Sequence, residues 1–105
     1  MDDLNALADE HLALAREHPH GRSAHLVLRD QPLRQSVIAL VAGTTLDEHL
    51  TPPAASLQVM RGTVRVVAAS GEIELGPGTL HLLPPDPHSL TALTDAVVLL
   101  TAVNP

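Results

Sequence analysis

The sequence predicts a small all-β domain, a sandwich or small barrel, preceded by one α-helix. Three observations predict it. Seven short runs rich in Val, Leu and Ile follow one another from Ser23 to Ala102, turn-forming residues separate them, and only the first segment has helical periodicity.

The helix is predicted over Asp2 to Glu17, where Leu4, Leu7, Ala8, Leu12 and Ala15 recur at steps of three and four and form one apolar stripe. Asp2 and Asp3 lie where the helix dipole favours negative charge, Arg16 and His18 lie at the opposite end, and His18-Pro19-His20-Gly21 stops it. Leu4, Leu7 and Leu12 are expected to be largely buried. Residues 1–20 are accordingly read as an N-terminal helical segment and 21–105 as the β domain.

The strand candidates are 23–29, 33–42, 56–61, 63–69, 72–75, 79–83 and 96–102. Between them stand Asp30-Gln31-Pro32, Ser70-Gly71, Gly76-Pro77-Gly78, Pro84-Pro85-Asp86-Pro87 and Thr94-Asp95, each rich in residues that set turn dihedrals. No helical segment separates the strands, which argues against a parallel sheet with crossover helices.

Composition narrows the function. The 105 residues are 45% hydrophobic but include no Phe, Tyr or Trp, so aliphatic side chains must fill the core and no base-stacking platform or aromatic cage exists. Twelve acids face six arginines and no lysine, a net charge of −6, and the arginines are scattered. Nucleic-acid binding, which needs a basic face, is not expected. With no cysteine there is no disulfide, thiolate metal site or Cys nucleophile. The opening MDDLNALADE lacks the basic-then-apolar pattern of a signal peptide and no apolar run is long enough to span a membrane, so the expectation is a cytoplasmic protein without membrane partners.

Two stretches carry more. Gly43-Thr-Thr-Leu-Asp-Glu-His49-Leu-Thr51-Pro-Pro-Ala-Ala55-Ser-Leu-Gln-Val-Met-Arg-Gly62 resembles the first cupin motif, G-x5-H-x-H-x3/4-E-x6-G, with Gly43, His49 and Gly62 in register. Gly78-Thr-Leu-His-Leu-Leu-Pro84-Pro-Asp86-Pro-His88 resembles the second, G-x5-P-x-G-x2-H-x3-N, with Gly78, Pro84 and His88 matching. Fifteen residues lie between Gly62 and Gly78, which suits the short intermotif hairpin of the smallest cupins. The resemblance covers roughly residues 33–102 and implies a double-stranded β-helix, or jelly roll: a cupin-type antiparallel barrel with the helix at its N-terminus.

The same resemblance implies a metal site, and this sequence departs from it. Thr51 stands where the motif has its second histidine and Ala55 where it has glutamate; Asp86 replaces a glycine and Ala92 an asparagine. His49 and His88 remain of the four ligands. Two imidazoles suit Zn, Fe, Ni, Cu or Mn, but a stable site usually has three or four protein donors. His81 is the candidate third ligand, with His25 a further possibility; the inward or outward direction of each depends on strand register. Gln58 has the opposite parity to Ala55 and is a poorer candidate.

Other polar groups are expected at the surface. His11, His18 and His20 belong to a solvated helix and its exit, Asp47 and Glu48 are surface charges, and Arg34 and Arg65 point outward from apolar strands. An inward arginine would instead attract an anionic ligand, because a guanidinium pairs bidentately with a carboxylate.

Two functions follow. One is a metal-dependent enzyme acting on a small organic substrate through His49 and His88, the ion polarising a substrate oxygen. The alternative is a metal-free small-molecule binding, sensor or accessory module, or a dimeric structural one. A homodimer is expected, since small cupins are commonly dimers and the apolar stripe of the helix needs a surface.

Overall fold

The computed structural model describes residues 1–48 and 51–104. Asp3 caps the helix, its carboxylate accepting the backbone N–H groups of Asn5 and Ala6 at 3.1 Å each, so α1 runs Leu4–Glu17 and begins two residues later than expected. Nine strands follow: β1 Arg22–Asp30, β2 Leu33–Leu40, β3 Thr45–Glu48, β4 Ala54–Arg61, β5 Val64–Ala68, β6 Gly71–Leu75, β7 Leu80–Leu82, β8 His88–Ala92 and β9 Ala96–Val103. All seven expected strands are present. The two additional ones, β3 and β8, are short and carry Thr, Asp, Glu, His and Ser, so they lack a β-branched apolar signature; they pair with each other, and β8 pairs on its other side with β5, so their strand character comes from those ladders.

The strands form two antiparallel sheets, β1-β2-β9-β4-β7 and β3-β8-β5-β6. Their facing sides enclose a core of Leu40, Leu57, Val59, Val64, Val66, Leu75, Leu90, Ala92, Ala96 and Val98, with Ile38, Leu46, Leu83 and Leu100 at its margin. Aliphatic side chains fill this interior without an aromatic ring.

A second core lies outside the barrel. Along β2, Ile38 and Leu40 face the interior while Val37 and Ala39 face out, where Ala8 and Ala15 of α1 cover them and Val97 of the neighbouring β9. Burial on both faces explains why 33–42 and 96–102 read as nearly continuous apolar runs. The helix therefore packs across the outer side of β1, β2 and β9 of its own chain.

That packing alters two expectations. Leu4, Leu7 and Leu12 are half-buried, while Ala8, His11 and Ala15 are the buried residues of α1. Small alanines let the helix approach the sheet closely, and the leucines flank the contact. His11, expected in solvent, is 8% exposed, with its Nδ1 2.7 Å from Ser23 Oγ and its ring stacked on His25 at 5.4 Å.

Polar contacts hold both ends of the helix. Arg61 of β4 pairs with Asp9 and donates to the Asn5 carbonyl; Arg16 pairs with Asp95 at 3.1 Å. Asp95 also accepts the Ala42 N–H at 2.9 Å, and that bond, followed by the one from Arg16, holds its pKa below the ordinary aspartate value. Among the described residues, no helix is long and apolar enough to cross a membrane.

Candidate ligand pocket at the barrel mouth

The interior is closed, but one end of the barrel opens into a pocket of about 560 Å³. Its floor is inner-face residues of the larger sheet. Ladder pairing sets Arg34 opposite Ala102, and Ala102 opposite Ala55, so these side chains share one face with Ser36 and Leu100. Its rim is the proline-rich chain on either side: Thr51, Pro52 and Pro53 before β4, and Leu83, Pro84 and Pro85 after β7. Thr51 Oγ1 donates to the Pro85 carbonyl and ties the two rims together.

His88, at the start of β8, lines this pocket and also a void of about 30 Å³ below it among Ile38, Leu46, Leu57, Leu83, Leu90 and Leu100. Its Nδ1 is 3.1 Å from the Asp86 carbonyl oxygen. A carbonyl only accepts, so Nδ1 carries the proton and Nε2 of the neutral ring has the free lone pair. The partner of His88 in the β3–β8 ladder is Glu48; the next residue, His49, lies outside the described residues.

The other site candidates are distributed differently. His81 pairs with Leu57 and so shares its inward face, but it lines a separate cleft of about 340 Å³ against the β5–β6 turn. Residues 82–85 lie between the two clefts and line both. His25 pairs with Val37 on the outer face, where it is exposed and stacks on His11 of α1. Gln58 is exposed and pairs with Leu99 and Leu80, away from the interior, as its parity predicts. Thr51 and Ala55 both line the pocket, without the nitrogen or carboxylate the metal motif has there. Among the described residues no three His, Asp or Glu side chains come together as a metal site.

Arg34 departs from expectation and Arg65 does not. Arg34 lines the pocket because its β2 register puts it on the inner face, although at the open mouth it stays exposed. Arg65 alternates with the buried Val64 and Val66, faces outward and pairs with Glu74 at 2.9 Å, a hydrogen bond that raises its pKa further. The conditional reading of an inward arginine thus applies to Arg34. The sequence signal was its parity with Ile38 and Leu40, legible only once those two were known to face inward.

No family model and no curated protein matches the sequence. Solved structures do resemble the fold. A cupin-2 domain protein from Shewanella frigidimarina superposes with a TM-score of 0.72 at 12% identity, over 99% of this chain and 95% of that one. The cupin-2 domain of an XRE-family transcriptional regulator from Enterobacter cloacae gives 0.66 at 15% identity, over 80% and 96%. A salicylate 1,2-dioxygenase from Pseudaminobacter salicylatoxidans gives 0.79 at 20% identity, over 93% of this chain but 33% of the enzyme. The same architecture thus serves in a regulator and in an enzyme. Two antiparallel sheets closed on an aliphatic core, with these structural likenesses, give the chain the cupin fold.

Proposed function

We propose that this barrel is a binding module for a small organic molecule, held in the pocket at its mouth rather than in its interior. The observation that carries the reading is the pocket itself. Its volume of about 560 Å³ suits a small ligand, and its lining is mainly Ala, Leu and Pro with a few polar groups at Arg34, Ser36, Thr51, His88 and Asn104. The filled aliphatic core leaves the mouth as the place for such a molecule. The test is a fragment screen by two-dimensional amide NMR on the isotopically labelled chain. Shifts should cluster at residues 34–36, 54–55, 82–85 and 100–104, and hits confined to other surfaces would refute the assignment.

A second reading, a divalent transition ion held by His49 and His88, is favoured by the His88 tautomer. A backbone carbonyl holding Nδ1–H is the usual arrangement behind an imidazole ligand that binds through Nε2. Element analysis after zinc loading distinguishes the two: stoichiometric zinc in the wild type, lost in His88→Ala and in His49→Ala, supports the ion. Zinc lost in His81→Ala as well would make that residue a ligand; no bound zinc in the wild type leaves the metal-free module.

A further inference from the structure

We infer that the pocket's ligand is an organic carboxylate with an apolar body, and that Arg34 receives its carboxylate group. The inference rests on the binding role proposed for the pocket and gives the ligand a chemical class.

Half of the six arginines are paired. Arg16, Arg61 and Arg65 are in ion pairs with Asp95, Asp9 and Glu74. Among the described residues Arg22, Arg29 and Arg34 are in no such pair, although the chain carries twelve acids and a net charge of −6, and of these three only Arg34 lines the pocket at the barrel mouth; Arg29 is its neighbour in the sheet. The β1–β2 ladder sets Arg29 and Arg34 directly opposite each other, on the sheet face that forms the pocket floor. Like charges directly opposed across an antiparallel pair repel, so Arg29 does nothing to neutralise Arg34, which alone of the two lines the pocket. Among the described side chains, none of those lining the pocket is acidic.

The surroundings of Arg34 choose between anions. A phosphate group is usually received by several backbone N–H groups or more than one cation. Here Pro52, Pro53, Pro84 and Pro85 form much of the rim, and proline has no N–H to donate. One guanidinium in the pocket, with Ser36 and Asn104 as further donors, matches a planar monoanion that accepts two parallel hydrogen bonds. The aliphatic remainder of the lining suits an uncharged hydrocarbon portion.

The experiment compares acids with their primary amides: butyrate, octanoate, benzoate and 1-naphthoate against butyramide, octanamide, benzamide and 1-naphthamide. Binding to the full chain is read by amide NMR shifts. For the naphthyl pair it is also read by probe fluorescence, which a chain without Phe, Tyr or Trp does not obscure. At least one acid should bind more tightly than its amide, shifting residues 34–36 and 102–104. Arg34→Gln should weaken that acid about tenfold to a hundredfold and leave the amide unchanged, the range expected for a hydrogen bond to a charged group. Arg34→Lys should recover part of the loss, and raised salt should weaken the acid alone. If amides bind as well as acids, or Arg34→Gln leaves acid affinity intact, the carboxylate assignment is wrong while the pocket remains a binding site. If neither acids nor amides bind, both the assignment and the binding role fall. Should Arg34→Gln fail to fold, the acid–amide comparison on the wild type decides alone.

Discussion

Replacing Gly62 with alanine should be among the most damaging single-methyl additions to this protein. Gly62 follows β4 at φ +75°, and a Cβ there would meet the carbonyl oxygen of Asp95 and lie 2.9 Å from the Cα of Ala96. Both obstacles are backbone at the start of β9, so no side-chain rotation relieves them. The left-handed conformation costs an L-residue about 1–2 kcal/mol. Forcing atoms into a packed site adds about 1–3 kcal/mol. Gly43 is the internal control: its φ is +89°, but nothing lies within 4 Å of an added Cβ. Gly43→Ala should therefore lose only the conformational part, about 1–2 kcal/mol, and Gly62→Ala about 2–5 kcal/mol in all. For a domain of this size the larger loss lowers the melting temperature on the order of 10 °C or more. Urea unfolding followed by far-UV circular dichroism is the assay, since the chain has no Trp or Tyr for fluorescence. Midpoints that fall equally in the two variants at unchanged slope would refute the steric argument. An unaffected Gly62→Ala would refute the geometry of the β4–β5 and β8–β9 junction itself.

Two further outcomes test how the helix is held. Deleting residues 1–17 uncovers Val37 and Val97, each fully buried, which at about 1.5–3 kcal/mol per valine should destabilise the barrel severely or drive it to self-associate; an unchanged melting temperature and mass by light scattering would show that the helix contributes nothing. Asp95 has a pKa depressed first by the Ala42 N–H and then by Arg16, so its charge stabilises the fold above the ordinary aspartate value and that contribution is lost as pH falls through and below it. Asp95→Asn should therefore unfold at lower urea than the wild type at pH 7, with the gap closing in acid. A gap of the same size at pH 7 and pH 3 would mean that the charge plays no part.

Local chemistry alone settled the punctuation of this chain. The acidic start at Asp2 and Asp3, the apolar period of 4–15 and the Gly and Pro turns are short-range signals, and they located α1 and seven strands to within a few residues. The spacing of Gly43, Gly62 and Gly78 likewise marked three positions whose backbone has positive φ. Those signals act between residues a few positions apart, so the residues themselves display them.

Pairing across the barrel decided the rest. Thr45–Glu48 is a strand because His88–Ala92 supplies its ladder across some forty residues, and His88–Ala92 because it lies between that strand and Val64–Ala68, relations their own polar sequences do not announce. Arg34 and Arg65 sit in similar apolar runs, yet one lines the pocket and the other pairs with Glu74 at the surface. A strand's period of two gives its side chains two faces but does not say which is inside; only the partner register does. His11 was hidden in the same way, since its burial comes from Ser23 and His25 on a strand folded against the helix. His81 and His88 are seven residues apart but line different clefts, because residues 82–85 lie between them. Sequence determined which residues were available for a site, and long-range register determined which of them share one.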